Sequence, residues 1–584
     1  MCAEDGSWLF FRSPREVIVS RSLAEVMPAL HRVERFVEQG WFAAGFISYE
    51  AAPAFDSSLA AHAPDSFPLL RFGIYPPPAA VRRLPAVTWD GVKSVWRSSV
   101  SREVYEDAVC RIREYISRGD TYQVNFTFRL HTRFDDDAWD CFCSIAGHHP
   151  MPHAAYIDAG RYKICSFSPE CFFRLHRDMI TVKPMKGTAA RGRFNGEDLE
   201  RRIALQTNGK ERAENVMIVD MLRNDLGRIA VNGSVNVSSL CGVESFRTVL
   251  QMVSTIGART NEPLHRIFSA LFPCASITGA PKVRTSRIIR ELESTPRHIY
   301  CGTVGWVAPQ RHCLFNVAIR TLLIDGQEKT AEFGTGGGII WDSDSRREYE
   351  ECAVKARIVT SPQPSFSLVE TLLWSPSGGY FLLERHLDRL IDSAQYFSFP
   401  VDMEYIRHKL YAAADRFGRK ERQRVRLLVD CTGKCIVNST TLPDYAQTDR
   451  EILELYPAAG PVRSDDCFLF HKTTFRSQYD DMAKRFFPDG GDLLFYNEKG
   501  EITETTIGNV VVRVDGELYT PAVCSGLLAG VFRAELISAG KIREKVLTMK
   551  DLAESSAIYR INSVRLWQSC RLAGNGCAMI FPGE

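Results

Sequence analysis

Two E-x-x-E pairs, Glu211/Glu214 and Glu348/Glu351, lie on candidate helices of the first part of this 584-residue chain. At i, i+3 spacing on a helix, both carboxylates of a pair face the same way. Two such pairs set opposite each other make an oxygen-rich site suited to a magnesium ion. The same spacing also describes an ordinary solvated helix face. The run Gly334-Thr335-Gly336-Gly337-Gly338, just before the second pair, lets backbone N–H groups approach a carboxylate or phosphate, or else makes a tight turn. It matches neither the dinucleotide fingerprint nor the Walker pattern. Lys186, set in Pro184-Met185-Lys186-Gly187-Thr188, is a candidate nucleophile if it is desolvated, because losing its proton exposes the amine lone pair. Most lysines are merely solvated, so this segment is weak by itself.

These residues need helices and strands to hold them. Residues 101–118 carry Val104, Ala108, Ile112 and Tyr115 at helix-stripe spacing, with Gly119 placed to end the helix. Residues 122–130 alternate and favour a strand, whereas 210–226 and 346–360 read as the helices that bear the glutamate pairs. Short strands with Gly and Asp turns lie between them, which is an α+β pattern and not a βαβ succession. Length alone predicts about four domains at roughly 150 residues each. The Pro-rich stretch Ser361-Pro362-Gln363-Pro364-Ser365 is the best linker, dividing residues 1–360 from 367–584 through a linker at 361–366.

Composition narrows the class. Hydrophobic residues make up 45% and charged residues 24%, and 72 basic against 70 acidic side chains leave a net charge of +2. That balance gives no electrostatic case for a nucleic-acid or membrane-surface partner. Apolar stretches such as 216–222, broken by Asp220, are far too short to span a membrane, and the N-terminus has no secretory pattern. The seventeen cysteines are odd in number and form no CxxC pair, so they read as reduced, mostly buried thiols of a cytoplasmic protein. Small-molecule chemistry is the class that remains.

In order along residues 101–359 stand GDTYQVN (119–125), SPE (168–170), PMKGT (184–188), KERAENVMIVDMLRNDLGR (210–228), SITGAPK (276–282), YCGTVGW (300–306), IRT (319–321) and GTGGGIIWDSDSRREYEECAVKAR (334–357). This succession resembles the chorismate-utilising enzymes, the family of anthranilate, isochorismate, salicylate and aminodeoxychorismate synthases. The resemblance implies antiparallel sheets flanked by helices. It makes Glu214 and Glu351 the Mg2+ ligands, with Glu211 and Glu348 supporting them through water. Backbone at Gly336, Gly337 and Gly338, with Lys355 and Thr278, would hold the ring carboxylate of chorismate. Arg320 and Tyr300 would hold the enolpyruvyl carboxylate, where a planar guanidinium suits bidentate pairing.

Two positions separate activities within this family. Isochorismate and salicylate synthases carry a lysine where this chain has Gln123, and anthranilate synthases usually carry Ala where it has Lys186. Gln followed by Lys resembles the aminodeoxychorismate branch. There the lysine attacks ring C2 as the C4 hydroxyl leaves, and ammonia then resolves the adduct at C4. Glu170 would protonate the departing hydroxyl. Gln251 stands where the family usually has a histidine discussed for pyruvate elimination, which fits amination without aromatisation. The segment before residue 101 is short for the family, so no feedback tryptophan site is carried over. No G-x-C-x-G glutaminase turn is visible, which implies ammonia from a separate glutamine amidotransferase acting in trans.

The second part contains ERHLDRL (384–390), HKTTFR (471–476), GEITE (500–504), Asn509 and GVFR (530–533). Each is ordinary alone, but in this order they resemble the class IV aminotransferases, a two-lobed fold that binds pyridoxal 5'-phosphate (PLP). The resemblance makes Lys472 the lysine that condenses with the cofactor and moves protons, and Glu504 the partner of the pyridine nitrogen. Arg389 and the backbone N–H groups of Val531 and Phe532 would hold the phosphate. The family often has Thr where Phe532 stands. The fold hosts branched-chain and D-amino-acid transaminases and an aminodeoxychorismate lyase, and commonly forms homodimers through this part. Fusion to the first part favours the lyase, so the whole chain reads as a two-step route from chorismate to 4-aminobenzoate, for folate synthesis. The alternatives are an anthranilate-type synthase fused to a transaminase, or a chain in which one half is inactive and serves as a binding module.

Overall fold

The computed structural model describes the chain except residues 2–6, 86, 88, 90, 92, 93, 149, 150, 248, 362–364, 419, 444–451, 486–490 and 574–584. Residues 362–364 of the Pro-rich linker therefore lie outside the described residues. The chain divides into two compact units, one of Met1–Ala190 and Arg202–Pro364, the other of Arg191–Arg201 and Ser365–Glu584. No helix among the described residues is long and apolar enough to cross a membrane. Most of the described cysteines are buried.

The first unit holds a ten-stranded and a seven-stranded sheet, both antiparallel in every described pairing. The elements used below are helix α1 (Leu23–Glu38), helix α2 (Arg102–Ser117), strand β1 (Gln123–Arg133), strand β2 (Met185–Ala190), helix α3 (Gly209–Gly227), strand β3 (Val249–Arg259), helix α4 (Leu264–Leu271), strand β4 (Thr330–Ile339) and helix α5 (Ser345–Thr360). Each helix at the site starts on a polar cap. Asn208 accepts from the N–H groups of Lys210 and Glu211 to open α3, and Asp344 accepts from Arg347 N–H to open α5. Such caps satisfy otherwise orphaned helix donors and fix where each glutamate pair begins to project.

Two expectations about local structure change. The glycine run is not a turn. It continues strand β4, with Gly336, Gly337 and Gly338 opposite Thr127, Phe126 and Asn125 of β1. Helix α2 forms where expected, but its buried face is Tyr105, Ala108, Val109 and Ile112, while Val104 is exposed. The Tyr105 ring packs on Phe126, Phe128 and Tyr349, and that aromatic contact rotates the stripe by one residue.

The second unit combines a four-stranded antiparallel sheet with an eight-stranded mixed one. Its relevant elements are strand β5 (Ser367–Ser375), helix α6 (Leu383–Phe397), strand β6 (Ile502–Thr505), strand β7 (Asn509–Val514) and helix α7 (Val531–Ser538). Helix α6 buries His386, Leu387, Leu390, Ala394 and Phe397 at i, i+3 and i+4 spacing. That packing holds Arg389 at the inner edge of the buried stripe.

Candidate active sites

In the first unit, strands β1, β2 and β4 and helices α3 and α5 bring the predicted residues around Lys186. Its Nζ lies 3.5 Å from Glu214 Oε2. Glu211 and Glu348 are raised above the usual carboxylate range, first by burial and also by repulsion from Glu214 and Glu351 respectively. Glu351 is instead lowered by Lys355, whose Nζ is 2.8 Å from its Oε1. Lys355 also donates to Gly336 O at 2.9 Å, and Ser343 donates to Glu348 at 2.8 Å. The glycines make room for this arrangement. A Cβ on Gly337 would stand 3.2 Å from Glu348 Oε2, and one on Gly187 3.1 Å from Glu211 Oε2. An all-oxygen set of mutually repelling carboxylates suits a hard cation such as Mg2+.

Glu170 is buried beneath this layer. Burial pushes its pKa up to about 7 against the lowering effects of Ser276, the Met185 N–H and Lys186. Ser276 donates to its Oε1 at 2.7 Å. Gln123, fully buried at the start of β1, leaves both side-chain Nε2 and Oε1 without a partner among the described residues. A Cβ on Gly338 would overlap Lys186 Nζ and stand 2.9 Å from Gln123 Nε2, so amide and amine converge on one spot beside the glycine strand. An orphaned buried amide there marks a place where a polar ligand is received. Half-buried Arg320 is lowered by burial and makes no ion pair among the described residues, which suits it to an incoming carboxylate. The Tyr300 ring packs against Gly334, and buried Thr278 donates to Cys274 O at 3.0 Å.

Gln251 on β3 donates to Gly187 O at 2.9 Å and accepts from Thr188 Oγ1 at 3.1 Å, so it fastens the strand just after Lys186. Asn215 of α3 does the same on the other side, donating to Lys186 O at 3.1 Å. Two substitutions separate space from chemistry here. Gly336→Ala drives its Cβ into the Phe126 carbonyl and to 2.6 Å from Thr127 Cγ2, both fixed by the sheet, and is expected to cost about 1–3 kcal/mol of stability. Gly338→Ala meets the movable end of Lys186. It is expected to leave the unfolding temperature nearly unchanged while abolishing any reaction that uses the Lys186 amine. Thermal unfolding and product assays on the two variants check the contrast.

In the second unit Lys472 is half-buried where its segment meets β5: its carbonyl accepts from Val369 N–H at 2.8 Å. Burial and Arg389 lower its pKa to about 8 against Glu370 and Glu504. Glu504 on β6 is raised to about 7 by burial, opposed first by Tyr479, whose hydroxyl donates to Oε1 at 2.8 Å. Asn509 of β7 donates to its other oxygen at 3.2 Å. Gly530 packs so tightly against Asn509 Oδ1 that a Cβ would overlap it. From there α7 begins, with the N–H groups of Val531 and Phe532 in its unpaired first turn. The Phe532 ring turns inward to Phe381 and Trp567, leaving only its backbone for an anion.

Two participants gave no motif signal. Glu370 receives Arg389 Nε at 2.9 Å and Nη2 at 2.7 Å, and its Oε2 lies 2.6 Å from His386 Nδ1. Burial alone would raise this carboxyl, but Arg389 and His386 outweigh it and hold it down to about 2. Its stabilising effect is therefore full above the unfolded-state value near 4.5 and lost as pH falls through about 2. Glu370→Ala leaves Arg389 a half-buried, uncompensated charge beside buried His386, at a cost of about 3–5 kcal/mol. Hydrogen exchange along β5 and α6 is expected to speed up by roughly two to three orders of magnitude. Tyr479, the second, is buried and stacks on Phe495.

Residues 81–361 match the family described as chorismate binding enzyme, and residues 367–573 match amino-transferase class IV. The chain thus joins a segment matching the first family to a segment matching the second. Among curated relatives, aminodeoxychorismate synthase component 1 of Escherichia coli (strain K12) is 41% identical over 261 residues, which are 44% of this chain and 57% of that protein. Anthranilate synthase component 1 of Aquifex aeolicus (strain VF5) is 36% identical over 264 residues, 45% of this chain and 53% of that protein. The chain thus spans little more than half the length of these relatives. The crystal structure of anthranilate synthase component I from Streptococcus pneumoniae superposes with a TM-score of 0.54 at 23% identity, covering 62% of this chain and 93% of that one, a likeness of fold.

Proposed function

We propose that the first unit aminates chorismate to 4-amino-4-deoxychorismate and that the second eliminates pyruvate from that product to give 4-aminobenzoate. The observation that carries the reading is Lys186, an amine held at Gly338 and the unpartnered Gln123 amide, among four carboxylates and near a buried acid. Water-adding members of the family carry a lysine where this chain has Gln123, so the available nucleophile is Lys186.

In this scheme Lys186 Nζ attacks ring C2, the double bond shifts, and the C4 hydroxyl leaves as water with the proton of Glu170. Ammonia then bonds to C4, the double bond returns, and Lys186 is released with Glu170 again protonated. Glu214 and Glu351 would hold Mg2+, with Glu211 and Glu348 behind them. When bound, the ion neutralises the ring carboxylate. Lys355, Thr278 and the backbone of Gly336, Gly337 and Gly338 flank that carboxylate, and Arg320 with Tyr300 receives the enolpyruvyl one. Ammonia would come from a separate glutamine amidotransferase.

The second unit fits pyridoxal 5'-phosphate: a half-buried lysine near pKa 8, a buried carboxylate braced by Tyr479 and Asn509, and Arg389 beside a helix start. When bound, the cofactor supplies an electron sink for carbon–hydrogen bond breaking. Lys472, neutral in part at pH 7, takes the C4 proton of the amine substrate. Glu504 holds the pyridine nitrogen protonated, and Arg389 with the Val531 and Phe532 N–H groups anchors the phosphate.

The test is a product assay on the purified chain with chorismate, ammonium and Mg2+. Para-aminobenzoate with pyridoxal 5'-phosphate and aminodeoxychorismate without it are expected. Ortho-aminobenzoate would overturn the reading of the first unit. Aminodeoxychorismate that persists with the cofactor bound would overturn that of the second.

A further inference from the structure

Outside the residues of either candidate site, helices α1 and α4 of the first unit bring three ligand-type side chains together. His31 and Glu34 stand one turn apart on α1, and His265 opens α4. His31 Nδ1 lies 3.2 Å from Glu34 Oε2, and His265 Nδ1 lies 2.9 Å from the same oxygen. The three ligand atoms all lie within 4.8 Å of one another. The carboxylate is fixed from its other side, where Oε1 accepts the His265 backbone N–H at 2.9 Å.

The scaffold is rigid. Helix α1 is pinned by Val26, Ala29, Leu30 and Val33, and α4 by Ile267 and Phe268, all in one core. The ligands thus project from packed helices, which hold a site more closely than loops do.

Zinc bonds imidazole nitrogen at about 2.0–2.1 Å and carboxylate oxygen at about 2.0–2.2 Å, so tetrahedral ligand atoms lie about 3.3–3.5 Å apart. The spacings of 2.9 and 3.2 Å are a few tenths short, a gap that small side-chain rotations close. Two imidazoles with one carboxylate favour a borderline ion such as zinc over magnesium or calcium, which take oxygen ligands. The side chain of His31 is 49% exposed while those of Glu34 and His265 are 14% and 18%, giving two sheltered ligands and an open approach. We propose that His31, Glu34 and His265 bind a zinc ion, with water in the fourth position. The ion clips together two helices whose ligands lie 231 residues apart in sequence, and it acts on stability and not on turnover.

The experiment uses the full chain, stripped of metal by a chelator, returned to saturating Mg2+ and titrated with zinc chloride. Zinc retained after gel filtration is counted for the wild type, His31→Ala and His265→Ala. Thiols and the acidic site also hold zinc, so the difference between proteins is the readout. The expected result is one more zinc per chain in the wild type than in either variant. A zinc-dependent rise in unfolding temperature should accompany it and be lost in both. Equal retention in the three proteins, or an equal rise in all, would overturn the proposal. Should His265→Ala fail to fold, the exposed His31→Ala carries the comparison alone.

Discussion

Lys472→Ala is expected to stop 4-aminobenzoate formation while aminodeoxychorismate still accumulates at the wild-type rate. Lys472 is a half-buried amine of the second unit, lowered to about 8 by desolvation and by Arg389, so it is partly deprotonated near neutral pH. In the proposed scheme alanine removes both the group that binds the cofactor's aldehyde and the base that takes the substrate proton. Covalent and general-base roles combine, so loss of at least about 10³-fold follows, since a positioned acid or base alone is worth 10²–10⁴. Two readouts check it: the visible absorbance of lysine-bound pyridoxal, expected to vanish, and product partition by chromatography. Absorbance that survives would assign the wrong lysine. Loss of amination as well would mean the substitution damages more than the second site.

How far such sites can be read from sequence depends on how local their signal is. The glutamate pairs are legible because i, i+3 spacing on a helix has one geometric meaning, and α3 and α5 do carry Glu211, Glu214, Glu348 and Glu351 toward Lys186. The glycine run is ambiguous because glycine permits both a turn and a close strand approach. Only the pairing with β1, fixed by residues some 200 positions away, makes it a strand. The face of α2 is set by which aromatic finds Phe126 and Phe128, so periodicity errs by one residue between Val104 and Tyr105. Glu370 and Tyr479 carry no motif. Their meaning arises when β5 passes Arg389 and when the helix bearing Tyr479 meets β6. Gln251, conspicuous in sequence as a departure from the family, acquires a physical role only through its bonds to Gly187 and Thr188.

Glu170→Gln is expected to slow amination by about 10²–10⁴-fold and to remove a pH dependence centred near 7. Glu170 is only 2% exposed, and burial raises it to about 7 although Ser276, the Met185 N–H and Lys186 pull the other way. A group with that value is half protonated at neutral pH and can give its proton to a departing hydroxyl, which an ordinary carboxyl near 4.5 cannot. The sign follows directly. The active form is the acid, so the wild-type rate constant should hold steady below pH 7 and fall about tenfold per unit above it. Glutamine keeps the size and can accept from Ser276, but it has no proton to give. The variant should therefore be slow at every pH, with a flat profile through neutrality, and should retain the wild-type unfolding temperature. The linkage term has the same origin. A carboxyl raised by burial favours folding most when protonated in both states, so this site's contribution falls as pH rises from about 4.5 to about 7 and levels off above it, whereas the rate is steady below pH 7 and falls above it. Measuring kcat and thermal unfolding across pH 5.5–9 separates the two. A shared decline in both proteins would assign the limb to another group, whereas a limb present in the wild type and absent in Glu170→Gln assigns it to this acid.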